Sequence, residues 1–433
     1  GGFDMIREDI VQRCLDLGAN DVICNKVESH RKQIRFANNE ITASKVWDTH
    51  VISLFMAMGK KVVMTSIRDM NNVEGAVDAL VRFANVMGPK DDYYGIATGP
   101  YSYPPAPYEE LDVVEEDVVE SVFSIADDCR AAGVIYNTHT ANEIATSSDI
   151  HGRDEGSALE ISVRMFADKQ ASGHAVSCAR RKRDFDAEGA CNEARDIAKM
   201  SLGAKMGTEG RFDILLSPLC MGNIIDQIAF QTSAFYVDSG LSFLKDKIGQ
   251  EVASPMVDLY DDATRPDGLG SGKFDEEGVP SRKNTIIEGG ELKTYLHNTS
   301  TAKKHGVETT ANAGLISPEP TNIVLNEGDH NFDELLEELG NGLYITNNWY
   351  TRFQNYSTGD FSTIPRDGIF VVKDGEIAAP IKEIRISDNM QRLLKNIEAL
   401  GNESRHIHWW EAETPCFTPH VLVRNINVTK SRG

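Results

Sequence analysis

The pattern of predicted elements changes at the stretch bounded by Gly203 and Gly210. Helices and long strand-forming runs precede it, whereas strands, long glycine-rich loops and few helices follow it. A chain of 433 residues is too long for one ordinary core, and about 150 residues per domain gives two or three domains. We therefore predict an α+β protein with an N-terminal α/β-mixed domain over 1–205 and a C-terminal strand-rich domain with long loops over 206–433.

The first half carries clear helix and strand signals. Apolar spacing and terminal residues predict helices over 4–17, from Asn72 to Gly88, over 111–132 and over 190–202. Strand-forming residues predict strands over 21–29, 33–36, 51–56, 62–65, 134–145, 155–168 and 173–180. The strand-forming runs 51–56 and 62–65 lie on either side of a tight turn at Gly59. We interpret the proline-rich stretch 100–107 as a surface connector.

The second half also carries a strand-to-helix signal. Residues 214–218 predict a strand that leads into an amphipathic helix over 221–231, with Ile224, Ile225 and Ile228 as its buried stripe.

The charge balance excludes one large class of partners. The formal net charge is −22, which repels a phosphate backbone, so we expect no direct nucleic-acid binding. One basic cluster, Arg180 to Arg183, is followed by Asp184 and is either a solvated turn or, less favoured, a polyanion site. No stretch approaches the ~18 apolar residues of a membrane span, so we expect no membrane insertion.

The cysteines indicate a reducing compartment. Seven cysteines are widely spaced without a Cys-x-x-Cys pair, which argues against a disulfide framework or a zinc ribbon. Several lie among apolar residues and are typical of small core side chains. We therefore predict a cytoplasmic protein.

Two short motifs suggest chemistry but fit structural roles better. Gly268 to Lys273 resembles a phosphate-binding loop, but it is one residue short and Phe274 replaces the Ser or Thr that binds magnesium. Ser300 and Lys303 have Ser-x-x-Lys spacing without the accompanying motifs. We interpret the first motif as a flexible loop and the second as a helix start.

The C-terminal region holds a weak metal candidate. His406 and His408 lie on one face of a predicted strand, and Cys416 and His420 follow nearby in the sequence. Their side chains are good zinc ligands, but no acidic residue is placed to act as a base. A structural role is favoured, and a metal site is the alternative.

A series of stretches in the second half resembles the TldD/PmbA family, specifically its PmbA (TldE) branch. The series includes Gly-Leu-Gly-Ser at 268–271, Ile-Glu-Gly-Gly-Glu-Leu at 287–292, Ser-Thr-Ala-Lys-Lys-His-Gly at 300–306, Asn-Ala-Gly at 312–314, Gly-Leu-Tyr-Ile-Thr at 342–346, Ser-Thr-Gly-Asp-Phe-Ser at 357–362 and Asp-Asn-Met at 388–390. The resemblance covers most of 210–400, whereas the first half matches only in layout. It implies a two-domain α+β subunit of an assembly, also described as modulating DNA gyrase, that processes or degrades unfolded peptides.

The same resemblance implies that this chain is not the catalytic subunit. A TldD-type subunit holds a metal through His-Glu-x-x-x-His on a helix and a cysteine near the C-terminus. The corresponding positions here are Asp226, Gln227 and Gln231, and the His-Glu-x-x-x-His motif occurs nowhere in the sequence. Glutamine is a poor zinc ligand and cannot act as a general base. We therefore expect no cofactor in this chain, zinc in a TldD-type partner subunit, and a possible homodimer when the partner is absent.

A polar and aromatic run provides the candidate peptide-binding residues. These are Asn348, Trp349, Arg352, Asn355, Thr358 and Asp360, with loop packing as the alternative role. Exposed strand edges bind extended peptides through main-chain hydrogen bonds, which suits an unfolded peptide substrate. Two rival functions stay open: an independent metallopeptidase that uses the C-terminal His/Cys set, and a homodimeric peptide-binding scaffold without peptidase activity.

Overall fold

The computed structural model describes residues 7–105 and 117–430, and within these ranges the strands form three sheets. The first sheet is antiparallel in the order β3-β2-β1-β4-β5-β6. Its strands are β1 (Asp21–Ala37), β2 (Glu40–Met58), β3 (Lys61–Ile67), β4 (Arg130–Thr146), β5 (His151–Phe166) and β6 (Ser172–Ala179). Its helices are α1 (Arg7–Asp16), α2 (Val73–Val86), α3 (Asp117–Ala126) and α4 (Ala187–Met200).

The helices of the first half cover one face of this sheet. Val22 and Cys24 of β1 pack in one cluster with buried residues of α1 and α2. Ile23 points the other way, as strand alternation requires, and packs with Phe274 from the second half of the chain. The first sheet is therefore covered by its own helices on one side and by the C-terminal half on part of the other.

Most predicted elements of the first half are present, and three differ. The two predicted strands over 21–36 are one continuous β1, because β1 pairs along its length with β2 and β4. The predicted helix over 111–132 extends too far at its C-terminal end: Asp127 adopts φ +54°, which ends α3, and Arg130 already pairs in β4. Asn72 makes no side-chain cap; Asp69 instead caps a short 3₁₀ turn before α2. Parts of three predictions lie outside the described residues. These parts are the start of the first predicted helix, the end of the proline-rich stretch and residues 111–116.

The second sheet has the order β11-β10-β9-β12-β19-β18. Its strands are β9 (Leu259–Asp262), β10 (Lys283–Glu288), β11 (Glu291–Leu292), β12 (Ile323–Leu325), β18 (Arg405–Trp409) and β19 (Ala412–Thr418). Its outer strand β18 faces β6 at the edge of the first sheet, where Cys178 Sγ donates a hydrogen bond to the carbonyl of His406 at 3.4 Å. The edges of the two sheets therefore meet along a seam.

The third sheet curls on itself. Its strands are β7 (Lys205–Met206), β8 (Gly210–Leu216), β13 (Gly342–Asn355), β14 (Asp360–Lys373), β15 (Glu376–Lys382), β16 (Ile384–Asn389), β17 (Ile397–Leu400) and β20 (Val421–Lys430). The pairing of β13 with β14 closes β13, β8, β20, β16 and β14 into a ring. The helices of the second half are α5 (Pro218–Gln231), α6 (Ala234–Asp238), α7 (Thr299–His305), α8 (Phe332–Leu339) and α9 (Met390–Lys395).

Helix α5 lies between the second and third sheets. It contacts β18 and β19 on one side and β13 on the other, and most of its residues are buried. A helix enclosed in this way positions side chains on every face against protein rather than water. The chain is a mixed α+β protein with a strand-rich second half, whereas the division at residue 205 stays a prediction. No helix among the described residues is long and apolar enough to cross a membrane.

Both short motifs have structural contacts. The glycine loop is held by Arg180, whose Nη1 donates to the carbonyls of Gly268 and Ser271 at 2.9 and 2.7 Å. A Cβ at Gly270 would lie 2.2 Å from the carbonyl oxygen of Thr321, so this backbone approach requires glycine. At α7 the cap is Asn298 rather than Ser300.

Candidate functional site

Helix α5 begins with a strong local signal. Ser217 follows β8 and accepts a hydrogen bond from Cys220 N at 3.1 Å, while its own hydroxyl donates to the carbonyl of Thr346 at 2.6 Å. Pro218 occupies the first turn, where no backbone donor is needed. The predicted strand-to-helix transition is confirmed, and the cap fixes α5 against β13.

The polar positions of α5 face protein, not solvent. Asp226 is 4% exposed and Gln231 is 1% exposed, whereas Gln227 is half-buried. Asp226 Oδ1 accepts a hydrogen bond from Thr414 N of β19 at 2.7 Å, and burial raises the pKa of this carboxyl group. The Oε1 atom of Gln231 is buried and has no hydrogen-bond partner in the part of the chain that the structure describes. Ile224, Ile225 and Ile228 form the predicted buried stripe.

Cys416 lies beside the same helix. A Cβ atom built on Gly222 would lie 3.2 Å from Cys416 Sγ, one turn before Asp226. Burial, with a smaller contribution from the charge of Asp226, raises the pKa of the Cys416 thiol. The structure thus brings together Cys416 and Asp226, two positions that the family resemblance connects.

These side chains do not fit a catalytic zinc ion. They offer one carboxylate already bonded to Thr414 N, a thiol that burial keeps protonated, and neutral amides at 227 and 231. Zinc sites use deprotonated thiolates, imidazoles and carboxylates in sets of three or four. Over residues 7–105 and 117–430, no group of three or more His, Cys, Asp or Glu side chains is arranged to hold a metal.

The C-terminal histidines point away from Cys416. Ile407 pairs directly with Cys416, and both contact the Gly222 position of α5. His406 and His408 alternate to the other face of β18, where His408 Nδ1 lies 2.5 Å from Glu160 Oε1 of the first sheet. Burial alone would lower the pKa of His408, but the hydrogen bond and the charge of Glu160 outweigh it and raise the pKa.

His406 and His420 are in separate places. The His406 ring stacks on Phe417 with centroids 4.1 Å apart, and burial lowers its pKa to about 3. His420 packs against Phe332 and Tyr344, and burial lowers its pKa to about 3 as well. The four weak metal candidates therefore do not converge on one point.

The candidate peptide-binding residues divide into three groups. Asn348 is fully buried, and its backbone and side-chain oxygens both accept hydrogen bonds from Asn223 Nδ2, at 2.8 and 2.7 Å. Asn355, Thr358 and Asp360 form the tip of the β13–β14 hairpin, where the side-chain Oδ1 of Asn355 accepts from Thr358 N and Thr358 Oγ1 donates to Asp360 Oδ2. Trp349 and Arg352 lie between these groups.

Trp349 and Arg352 border an aromatic surface next to α5. The Trp349 ring packs edge-on against Trp410 at 5.4 Å, and Trp410 and Tyr350 are both about half exposed. Arg352 has a 60% exposed side chain, with Nη1 3.6 Å from Glu411. The β18–β19 turn carries Trp410 and Glu411, so it joins this surface to the Asp226 position.

A buried polar network links α5, β13 and the first sheet, and the sequence analysis did not identify it. Asn223 Oδ1 accepts from Trp409 Nε1 at 2.7 Å, and Asn347 Nδ2 lies 2.8 Å from His174 Nδ1. Asp367 accepts from Arg164, Ser172 and Asn347. Asn223, a polar residue among the apolar residues of α5, was the sequence signal that could have revealed the network.

The second half of the chain matches a known protein family. Residues 209–430 match the PmbA/TldA metallopeptidase C-terminal domain. This match defines the chain as metallopeptidase-like in its second half, which contains α5, β13, β18 and β19. The chain belongs to the PmbA/TldD family.

Relatives and solved structures agree with this assignment. A metalloprotease of Methanothermobacter thermautotrophicus is 35% identical in a match that covers 47% of this chain and 46% of the relative. A metalloprotease PmbA homologue of Haemophilus influenzae is 27% identical in a match that covers 82% of this chain and 81% of the relative. The chain spans about half the length of the first relatives that it matches. A Thermotoga maritima protein described as a putative modulator of DNA gyrase is 25% identical over 98% of this chain and 100% of that one, with a TM-score of 0.85. TldE from Thermococcus kodakarensis, 18% identical over 98% and 99% of the two chains, has the same fold with a TM-score of 0.87.

Proposed function

We propose that this chain is the non-catalytic, TldE-type subunit of a cytoplasmic metallopeptidase assembly that acts on unfolded peptides. The observation that carries the proposal is the chemistry of α5 and β19. The helix and the cysteine strand are adjacent, as a metal site of this family would need, but Asp226, Gln227 and Gln231 supply neither two imidazoles nor a base.

The catalytic zinc in this proposal belongs to a TldD-type partner subunit. A partner with His-Glu-x-x-x-His would supply the metal-bound water that attacks a peptide bond. This chain would complete the assembly and hold the substrate. A homodimer in the absence of the partner is part of the same proposal.

The aromatic surface beside α5 is the proposed peptide contact. Trp410, Tyr350 and Arg352 reach solvent, and aromatic and arginine side chains dominate many binding surfaces. Behind them, Trp349 Nε1 and Glu411 Oε1 have no hydrogen-bond partner among the described residues. A donor and an acceptor of this kind suit the main chain of an extended peptide, which offers both groups at every residue.

The buried state of Asn348 changes its proposed role. Its hydrogen bonds to Asn223 make it a positioning residue that holds β13 against α5. Asn355, Thr358 and Asp360 shape the hairpin tip beside the proposed contact. Arg352 is therefore the residue of the original set that best suits direct peptide contact.

Co-expression with a TldD-type partner tests the proposal. We expect the two chains to co-purify and the complex to cleave an unfolded protein such as casein. Arg352→Ala and Asn355→Ala should lower turnover in the complex, whereas Arg68→Ala, an exposed arginine of the first half, should not. Failure to bind any such partner would overturn the assembly, and unchanged turnover would remove Arg352 and Asn355 from the peptide site.

A further inference from the structure

A cavity of about 470 Å³ opens at the seam between the first and second sheets. It lies between the end of β6, the loop at 265–267 and the start of β18, on the face of β18 opposite α5. Its volume is in the range of small-molecule binding sites. It is therefore separate from the Asp226 position and from the aromatic surface.

Three guanidinium groups contribute to the polar lining of this cavity. Arg180, Arg181 and Arg265 all line it. Arg180 is 6% exposed and anchors the glycine loop, and the charges of Arg265 and Arg180 both act on His406. Arg180 belongs to the basic cluster that the sequence analysis interpreted as a solvated turn; its burial shows that this part of the cluster is not solvated.

The guanidinium groups at the cavity mouth are only partly used. Arg181 Nε donates to Asp184 at 2.9 Å, and Arg265 donates through Nε and Nη2 to Asp267 at 3.1 and 3.0 Å. Both arginine side chains remain about 30% exposed. The Arg265 guanidinium carbon also lies 3.8 Å from the centre of the Phe417 ring, a cation–π contact that favours this position at the cavity wall.

Two further lining residues carry buried polar atoms that have no hydrogen-bond partner among residues 7–105 and 117–430. These atoms are Ser404 Oγ and His406 Nε2. Buried polar atoms in native proteins nearly always have a hydrogen-bond partner, so two such atoms at one cavity point to a position where a polar ligand group would bind. Burial keeps the His406 ring neutral by lowering its pKa to about 3, so one ring nitrogen donates and the other accepts.

We propose that this cavity binds a monocarboxylate, with Arg181, Arg265, Ser404 and His406 as its hydrogen-bonding groups. Guanidinium groups pair with planar carboxylates through two parallel hydrogen bonds. The lining also contains Asp184, Asp267 and Glu327, so the formal charges of the acidic and guanidinium groups balance. That balance favours a ligand with one negative charge over a phosphate with about two.

The C-terminal carboxylate of a peptide is one source of this group, and this choice of source rests on the proposed function. A peptide end at the seam would lie between the edge strands β6 and β18. A free small carboxylate is the other source. Carboxylate binding itself needs neither a partner subunit nor peptidase activity, so its failure and the failure of the proposed function are distinguishable.

Isothermal titration calorimetry of the full chain tests the proposal. The probes are N-acetyl-trialanine with a free C-terminal carboxylate, its C-terminal amide, acetate and inorganic phosphate. We expect the free acid to bind about tenfold more tightly than the amide, because a charge-assisted hydrogen bond is lost. Arg181→Ala should weaken binding of the acid about tenfold, because it removes one charged donor.

Arg183→Ala is the matched control. Arg183 lies in the same turn and is 71% exposed, but it does not line the cavity, so its loss should leave the affinity within about twofold. Ser404→Ala should also weaken binding, which provides a second variant that removes no charge. Acetate binding as tight as the tripeptide supports the site with a free carboxylate as its ligand.

Three results would overturn the site. These are equal affinities for acid and amide, a tighter affinity for phosphate than for the tripeptide, and an equal loss in Arg183→Ala and Arg181→Ala. Absence of binding heat with every probe at concentrations up to tens of millimolar would also overturn the site. Circular dichroism establishes that the protein and each variant are folded.

Discussion

Asp367→Asn is expected to weaken the contact between β13, β14 and the first sheet. The Asp367 side chain is fully buried and accepts hydrogen bonds from Arg164 Nη2 at 2.7 Å, Ser172 Oγ at 2.7 Å and Asn347 Nδ2 at 3.2 Å. Asp367 adopts φ +61°, a left-handed conformation that Asn also tolerates. The substitution therefore removes the charge with little change in shape or backbone conformation.

The expected cost follows from the environment of the pair. Breaking a buried ion pair by removing one partner costs about 3–5 kcal/mol, but the Arg164 side chain is 29% exposed and regains some hydration. We expect Asp367→Asn to lower the free energy of unfolding by about 2–3 kcal/mol at pH 7. Because both variants remove the same pair, Asp367→Asn combined with Arg164→Gln should cost less than the sum of the single changes.

The pH dependence of this difference is a second readout. Burial opposes ionisation of Asp367, but Arg164 and His174 outweigh it and hold the pKa of the carboxyl group below its usual range. Its contribution is therefore present above the unfolded-state pKa of about 4 and is lost as the pH falls through the folded-state pKa. Burial also lowers the pKa of His174 to about 4, so the wild-type and variant proteins both lose stability between about pH 6.5 and 4.

Urea unfolding followed by far-ultraviolet circular dichroism measures these differences. We expect the difference in the free energy of unfolding between the wild-type protein and Asp367→Asn to be constant from about pH 6 to 8 and to become smaller below about pH 4. A difference in the free energy of unfolding below about 0.5 kcal/mol at pH 7 would refute the reasoning, because ordinary surface substitutions have effects of that size.

Two further substitutions test packing and protonation elsewhere. Gly222→Ala would place a methyl group 2.7 Å from Ile407 Cγ2, so we expect the free energy of unfolding in urea to fall by about 1–2 kcal/mol despite better helix propensity. In Gly88→Ala the new methyl group would have no described atom within 4 Å, so stability should change by less than about 0.5 kcal/mol. Equal effects of the two would contradict the close contact of α5 with β18. Burial raises the pKa of Glu277 to about 8, so the protein loses stability as the pH rises from about 4.5 to 8. Glu277→Gln can still accept the hydrogen bond from Thr299 N but does not ionise. We therefore expect this variant to show a smaller decline of the thermal unfolding temperature between about pH 5.5 and 8. An unchanged slope would mean that Glu277 is already ionised in the folded protein.

Local sequence patterns predicted the elements whose signals are local. The hairpin of β2 and β3 followed from strand-forming runs on both sides of Gly59, and α5 followed from Ser217, Pro218 and its isoleucine spacing. Turn and cap residues act over a few positions, so one sequence is sufficient to reveal them. The end of α3 was misplaced because apolar spacing continues through Asp127 into β4.

The environment of the candidate site depended on distant residues. The periodicity of α5 identified its apolar stripe, but the cover over Asp226 comes from β19, nearly 190 positions later. In the same way, alternation placed His406 and His408 on one face, whereas the pairing of Ile407 with Cys416 decides that this face is the one away from α5. Strand register and sheet packing are properties of the whole fold, and no single segment encodes them.

The burial of Asn348 illustrates the same limit. Its neighbours in sequence are polar and aromatic, which is typical of an exposed binding loop. In the fold, β13 lies against α5 on one side of the ring of strands, and Asn223 occupies both oxygens of Asn348. The oxygens of a polar residue can be buried where another element supplies a donor, and only the assembled structure supplies that donor.

The zinc content and peptidase activity of the purified chain, measured without any partner, test the central claim most directly. Elemental analysis and casein cleavage with and without a chelator are performed on the same preparation. On the proposal that Asp226, Gln227 and Gln231 replace the metal-binding residues of the helix, we predict substoichiometric zinc and no chelator-sensitive cleavage, with cleavage appearing when a TldD-type subunit is added. Stoichiometric zinc together with chelator-sensitive cleavage by the chain alone would contradict the assignment of this chain as the non-catalytic subunit.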